Sequence, residues 1–258
     1  MIGLNHRGLF PGPQETLEAF TQRVETLPAV TQPFACPKAL ERVREIFAVS
    51  ADWVKIVVQP KGLLPWEAAA TWIEEVQGAR TCQIQIKHSI LSRLYPQEEV
   101  VAHEMVHAMR LMFDERRFEE VLAYRTSKNR FRRYFGPLFS NSWDVVILLT
   151  LFFVPWVSCG LELLFDWNLG GSVLSLLPLV YLAFKVLQLH RTQSLFQAAL
   201  SNLDRATRGK GVALATALHL TDEEIALFAR LSPQEICAVA EREKERSPRW
   251  LQLHTVYF

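Results

Sequence analysis

Pro96–Phe113 reads PQEEVVAHEMVHAMRLMF. Ala102, Met105, Val106, Met109, Met112 and Phe113 recur at helical spacing, so the segment is predicted to be one helix with an apolar stripe turned to a core. Glu98 and Glu99 suit its positive N-terminal end. His103 and His107 lie off that stripe, four residues apart on one face, where two imidazoles can bind the same metal ion. Glu104 follows the first histidine directly. In an HExxH arrangement this sets its carboxylate beside the water at the metal rather than on the metal, in position to act as general base.

Downstream, Asp114–Arg117 (DERR) is predicted as a turn and Phe118–Tyr124 (FEEVLAY) as a second helix. An antiparallel hairpin centred between residues 113 and 114 sets Glu120 across from His107, which makes Glu120 the expected third ligand. Glu119 points roughly 100° away around its helix, and a shift of one residue in the turn would exchange the two. Three protein ligands on Zn²⁺ leave one position open, as a catalytic site requires. Tyr124, one turn beyond Glu120, and His88 are candidate donors to an oxyanion, with a packing role competing for Tyr124.

HExxH on one helix with a glutamate ligand on the next, here Glu120-Val-Leu-Ala123 in the form E-x-x-A, resembles the gluzincin branch of the zincin metallopeptidases. The resemblance covers about 25 residues, and only 12 residues separate His107 from Glu120, fewer than in the best-known gluzincins. It implies a zinc-dependent hydrolase of peptide bonds with a peptide or protein substrate. Membrane metallopeptidases of the heat-shock and CAAX-prenyl types are similar in joining HExxH to spans near a cytoplasmic active site, and some place the third ligand after a span pair. The acidic residue in that place here is Asp204. Site-2-type intramembrane proteases fit poorly, because Glu98, Glu99 and Arg110 make the motif helix too polar for lipid.

Upstream, residues 15–27 and 37–49 have helical spacing, the second with Pro37 in its first turn. Trp53–Gln59 (WVKIVVQ) is β-branched and predicts a strand, whereas Ala- and Glu-rich Trp66–Val76 predicts a helix. Cys82–Lys87 alternates as CQIQIK, a half-buried strand with Cys82, Ile84 and Ile86 on one face. In its place before the motif helix it matches the edge strand that aligns substrate in zincins, which would take a peptide by backbone hydrogen bonds.

Beyond residue 140 the composition turns apolar. Val145–Phe165 is a 21-residue run with one charge and Val173–Leu189 a 17-residue run with one charge. About 20 helical residues cover the roughly 30 Å of a bilayer core, so both are predicted to span, paired across the turn Asp166–Ser172 and kinked at Pro155 and Pro178. Lys128, Arg130, Arg132 and Arg133 precede the first run, Arg191 follows the second, and the turn has no basic residue, so both ends face the cytoplasm. Folding the hairpin about residue 169 puts Glu162 and Lys185 at different depths, each snorkelling to an interface. Thr192–Thr207 is predicted helical, and capping boxes Thr221–Glu224 and Ser232–Glu235 each start a further helix.

The remaining composition is restrictive. Twenty-eight basic and 27 acidic residues leave a net charge of +1 on 258 residues, which gives no electrostatic case for nucleic acid. Cys36, Cys82, Cys159 and Cys237 form no CxxC pair and are expected to be reduced. The N-terminus lacks the apolar core of a signal peptide and is expected to be cytoplasmic.

The expected fold is α+β: a mainly helical zincin-like domain with a small sheet over 1–140, a two-span transmembrane helical hairpin over 141–192 and a helical C-terminal region over 193–258. The expected function is a membrane-anchored zinc metallopeptidase with its active site at the cytoplasmic face of the lipid bilayer. A competing expectation is a non-catalytic membrane protein with structural or no metal and a partner-binding helical region.

Overall fold

A computed structural model of the protein describes residues 2–27, 36–59, 63, 69–76, 79–87, 96–165 and 171–258. It is mostly helical with a small three-stranded sheet, an α+β arrangement. After a single turn, α1 (Ile2–Asn5), come α2 (Leu17–Thr26) and α3 (Pro37–Phe47). The Thr16 hydroxyl caps α2 by accepting from the Ala19 amide, and α3 takes Pro37 in its first turn and ends on Ala48 in the left-handed region at φ 56°. Both helices match their expected positions.

The strands are β1 (Lys55–Val58), β2 (Ala69–Val76) and β3 (Ala79–Ile86), in the order β1-β3-β2. β3 pairs parallel with β1, Lys55 facing Gln83, and antiparallel with β2, Thr71 facing Ile84 and Val76 facing Ala79. Two sequence-based expectations change here. Residues 69–76 are not helical. Their Ala and Glu favour helix, but tertiary pairing overrides that preference: Thr71, Trp72, Ile73 and Val76 supply β-branched and aromatic residues to a segment that pairs along all of β3. β3 is a strand as expected, with Cys82, Ile84 and Ile86 buried, but it is the central strand and both its edges are taken. Among the described residues β2, not β3, is an edge strand.

α4 (Gln97–Met109) lies against β2, β3 and α3. Val101, Ala102, Met105, Val106, Ala108 and Met109 are buried along it, as the apolar stripe requires. The chain reverses through Asp114, at φ 51°, into α5 (Glu119–Ala123). The Asp222 carboxylate fixes this reversal by accepting from the amides of Arg117 (2.8 Å) and Phe118 (3.2 Å). α6 (Arg130–Phe135) leads into α7 (Ser142–Phe165), then α8 (Gly171–Leu174) and α9 (Leu177–Ala206).

Among the described residues one helix is long and apolar enough to cross a membrane, Trp143–Phe165 within α7. The second expected span, Val173–Leu189, is divided between α8 and α9, and the apolar run of α9 gives way to His190 and Arg191 after about 20 Å at helical rise. Pro178 sits in the first turn of α9, where no hydrogen bond is lost, so it starts a helix instead of kinking one. Pro155 does lie inside α7. Lys185 finds a partner in Asp144, Nζ to Oδ2 2.9 Å, with the Tyr181 hydroxyl donating to the same carboxylate at 3.0 Å. The hairpin thus pairs nearer its first helix than a fold about residue 169 implies.

The second half of α9 runs into the interior, through Phe196, Ala199 and Leu203. Around it pack α10 (Ala213–Leu218), α11 (Asp222–Phe228) and α12 (Pro233–Glu243), and α13 (Pro248–Tyr257) packs on α12. Both capping boxes form as predicted, at Thr221 and Ser232. One continuous cluster of buried side chains runs from Leu9 through the sheet and α4 to Tyr257, so the N-terminal region and the last helices share a core. Each fully buried Phe in it, among them Phe118, Phe196 and Phe228, contributes about 1.5–3 kcal/mol over an exposed one. Arg110, wholly buried at the end of α4, donates to the carbonyls of Leu218 (2.8 Å) and Leu220 (2.9 Å), tying the motif helix to the C-terminal helices.

Candidate metal centre

The apolar stripe of α4 leaves His103, Glu104 and His107 on its half-buried flank, turned toward α5 and β2. His103 Nε2 and His107 Nε2 are 3.2 Å apart. Glu120 on α5 faces both: Oε2 is 3.6 Å from His103 Nε2 and Oε1 is 3.5 Å from His107 Nε2. His103, His107 and Glu120 could therefore hold a metal ion. The hairpin geometry expected from the sequence is the one found, with residue 120 opposite 107.

Glu119 does not compete for that place. Its Oε1 lies 2.6 Å from His107 Nδ1, the nitrogen turned away from the cluster. A carboxylate there fixes the ring's orientation and tautomer and makes Nε2 a better electron donor, the usual support behind a metal-binding histidine. Asp204 lies in the last turn of α9 and is not among the three residues whose ligand atoms converge. His88 falls outside the described residues. Tyr124 packs its ring edge-to-face on His103, centroids 4.6 Å apart, and Gly136 lies so close above that a Cβ there would stand 2.2 Å from the tyrosine ring. Only glycine admits this approach.

Thr71 on β2 was not legible as a site residue. Its hydroxyl lies 2.8 Å from Glu104 Oε2, to which it donates, and 3.2 Å from the Glu104 carbonyl. Seeing it required β2 as a strand against α4, since a helix over 66–76 has no reason to aim residue 71 at the motif.

The electrostatics favour a cation. Burial pushes His103 well below the ordinary imidazole value, helped by His107 and Arg132. For His107 burial also pulls downward, but the Glu119 hydrogen bond and the charges of Glu104, Glu120 and Glu119 outweigh it and raise the group to about 9. Burial lifts Glu120 to about 7, with Glu104 and Glu119 adding to the rise and His107 opposing it. Three carboxylates around two imidazoles make a surplus of negative charge, which a divalent cation would neutralise.

Two clefts of about 340 Å³ each meet at Ala69 and Glu104. One runs past Thr71, His107 and Glu115, and the other past His103, Tyr124, Phe131 and Phe135. The groove they form follows β2, with His103, Glu104 and His107 along its middle. No protein-family model matches the chain, and no curated protein or solved structure was found to match it.

Proposed function

We propose that the chain is a membrane-anchored zinc metallopeptidase of gluzincin-like type that hydrolyses peptide bonds at the cytoplasmic face of the bilayer. The observation that carries this is the convergence of two imidazole nitrogens and one carboxylate. Zinc bonds of about 2.1 Å in tetrahedral geometry require ligand atoms about 3.4 Å apart; the two Nε2 atoms here are 3.2 Å apart, and Glu120 brings Oε2 to 3.6 Å from His103 Nε2 and Oε1 to 3.5 Å from His107 Nε2. Zinc held there would supply Lewis acidity, polarising a carbonyl and making water a nucleophile near neutral pH.

The chain's own residues supply the rest. Glu104, in both clefts and held by Thr71, accepts the proton of the attacking water and passes it to the leaving amine. Glu119 keeps the His107 ring in place. The outer edge of β2 has no strand neighbour among the described residues and lies beside the groove, so it, instead of the expected β3, takes an extended peptide by backbone hydrogen bonds. Phe131 and Phe135 offer an apolar wall for a side chain on the His103 side.

The membrane part of the reading rests on exposed apolar surface. On α7, Phe152, Phe153, Trp156, Leu163 and Leu164 are exposed, and on the first half of α9 so are Leu179, Val180, Phe184 and Leu187. A contiguous face of this size is out of place in water. α7 crosses the bilayer and the chain returns through α8 and the first half of α9, leaving both ends and the metal centre on the cytoplasmic side, where the basic residues stand.

The test is metal analysis of purified protein joined to peptidase assay. Near-stoichiometric zinc, lost in His103→Ala, with Glu104→Gln keeping zinc and losing turnover of a mixed peptide library, is the expected result. Wild-type protein without zinc would refute the reading.

A further inference from the structure

Behind Glu120 a third and larger cavity, of about 670 Å³, opens between α5, the Pro137–Leu138 segment and the middle of α9. Its rim is basic. Arg116, Arg117 and Arg191 line it and are exposed, and among the described residues none of the three has a carboxylate within ion-pair distance. Lys185, also in the wall, is already held by Asp144, so the guanidinium groups are the uncompensated charge.

The floor is of the opposite character. Val121, Leu138, Phe184 and Leu187 line it, and Phe184 and Leu187 are 60% and 59% exposed. They continue the apolar face of α9 directly into the cavity. On the other side of the same turns of α9, Arg125, Arg130 and Arg133 gather beside His190. Arginines therefore ring α9 at the level where its exposed apolar surface ends, the level of lipid headgroups if α7 and α9 lie in the bilayer.

We propose that this cavity binds the phosphate headgroup of an anionic phospholipid of the cytoplasmic leaflet, with Arg116, Arg117 and Arg191 on the phosphate and an acyl chain laid on Phe184 and Leu187. The proposal rests on the membrane reading above. Guanidinium forks match phosphate oxygens two at a time, which favours a phosphate over a diffuse counter-ion. The apolar floor favours a lipid over free phosphate, and the unbalanced positive charge favours an anionic over a zwitterionic lipid. Glu120 forms the inner wall with its carboxylate turned to the imidazoles, so the bound headgroup is the immediate neighbour of a candidate metal ligand.

The test uses the full chain in detergent micelles doped with equal amounts of phosphatidylglycerol and phosphatidylcholine, with retained lipid counted by native mass spectrometry. Wild type is expected to retain phosphatidylglycerol at least about fivefold over phosphatidylcholine, the attraction of one basic residue for an anionic surface. Arg116→Gln/Arg191→Gln, which leaves Arg117, should lose most of the wild-type preference, and Arg116→Lys/Arg191→Lys should keep most of it. Lys210→Gln/Arg230→Gln, an equal loss of charge away from the cavity, should keep all of it. Equal retention by wild type, or an unchanged preference in the Gln pair, overturns the proposal, and the wild-type arm depends on no variant folding. Excess inorganic phosphate should leave the lipid bound; displacement would give the cavity to free phosphate instead. Alkaline carbonate extraction of membranes separates the two readings. Release of the protein would refute the membrane reading and this proposal together, whereas an integral protein without lipid preference would overturn this proposal alone.

Discussion

Exchanging Glu119 and Glu120 one at a time for glutamine separates a ligand from its neighbour by the size of the loss. Glu119 Oε1 is 2.6 Å from His107 Nδ1, while Glu120 faces Nε2 of both imidazoles at 3.5 and 3.6 Å. A hydrogen bond to a charged group is worth about 1.5–3 kcal/mol. Glutamine at 119 keeps an acceptor oxygen without the charge, so roughly half is lost, about 1–1.5 kcal/mol, or five- to tenfold in zinc affinity. Glutamine at 120 removes a ligand. A four-ligand zinc site worth about 10–16 kcal/mol loses about 3 kcal/mol per ligand, about two orders of magnitude. Competition against a chromophoric chelator at one fixed pH measures both. If Glu119→Gln causes the larger loss, the turn is displaced by one residue and the assignment of Glu120 is wrong.

Thr71→Val should leave zinc content unchanged and lower kcat/KM about tenfold by freeing the Glu104 carboxylate, and a loss of zinc instead would give Thr71 a purely structural role. Arg110→Met leaves the carbonyls of Leu218 and Leu220 without the guanidinium donor and the Glu115 carboxylate with the Asp222 amide but without its cation, and should cost about 3–5 kcal/mol in chemical denaturation; a loss under about 1 kcal/mol would show that the joint carries little. For Glu224, burial raises the carboxyl, but Arg249, the Thr221 amide and Trp250 outweigh it and hold the group below its ordinary 4.5. Its folded value being the lower one, the stability it lends is complete above 4.5 and is lost as pH falls through the folded value, so Glu224→Gln should flatten the acid limb of a stability profile. Cys159, exposed in the last third of α7, should react with a water-soluble maleimide in detergent and resist it in intact membranes, and equal labelling in both would remove α7 from the bilayer.

The His103-His107-Glu120 cluster was largely legible in the sequence because it is local. His103 and His107 are related by one helix, and Glu120 by one tight turn, so period and turn length fix their geometry without long-range knowledge. The sheet was less legible. Ala69–Val76 carries mixed local preferences that only pairing with β3 resolves, and from this error followed the misplacement of the edge strand and the omission of Thr71. The Asp144–Lys185 pair was also missed, since its register depends on how α8 and α9 divide the second apolar run. Arg110 is the clearest case of what spacing cannot show: it counted in the sequence as a polar residue on the motif helix, and it is buried because acceptors more than 100 positions away meet it.

That long reach has a consequence in time. A ribosome delivers the chain from one end, and α4 with its histidines is complete long before residues 218–222 exist to receive Arg110 and hold the reversal at Arg117 and Phe118. Closing contacts of such large sequence separation is slow and comes late. The apolar helices α7 and α9 leave the ribosome in the interval, so the centre assembles fully only after they have found their surroundings. A candidate centre wired in this order stays incomplete for as long as the chain is still being made.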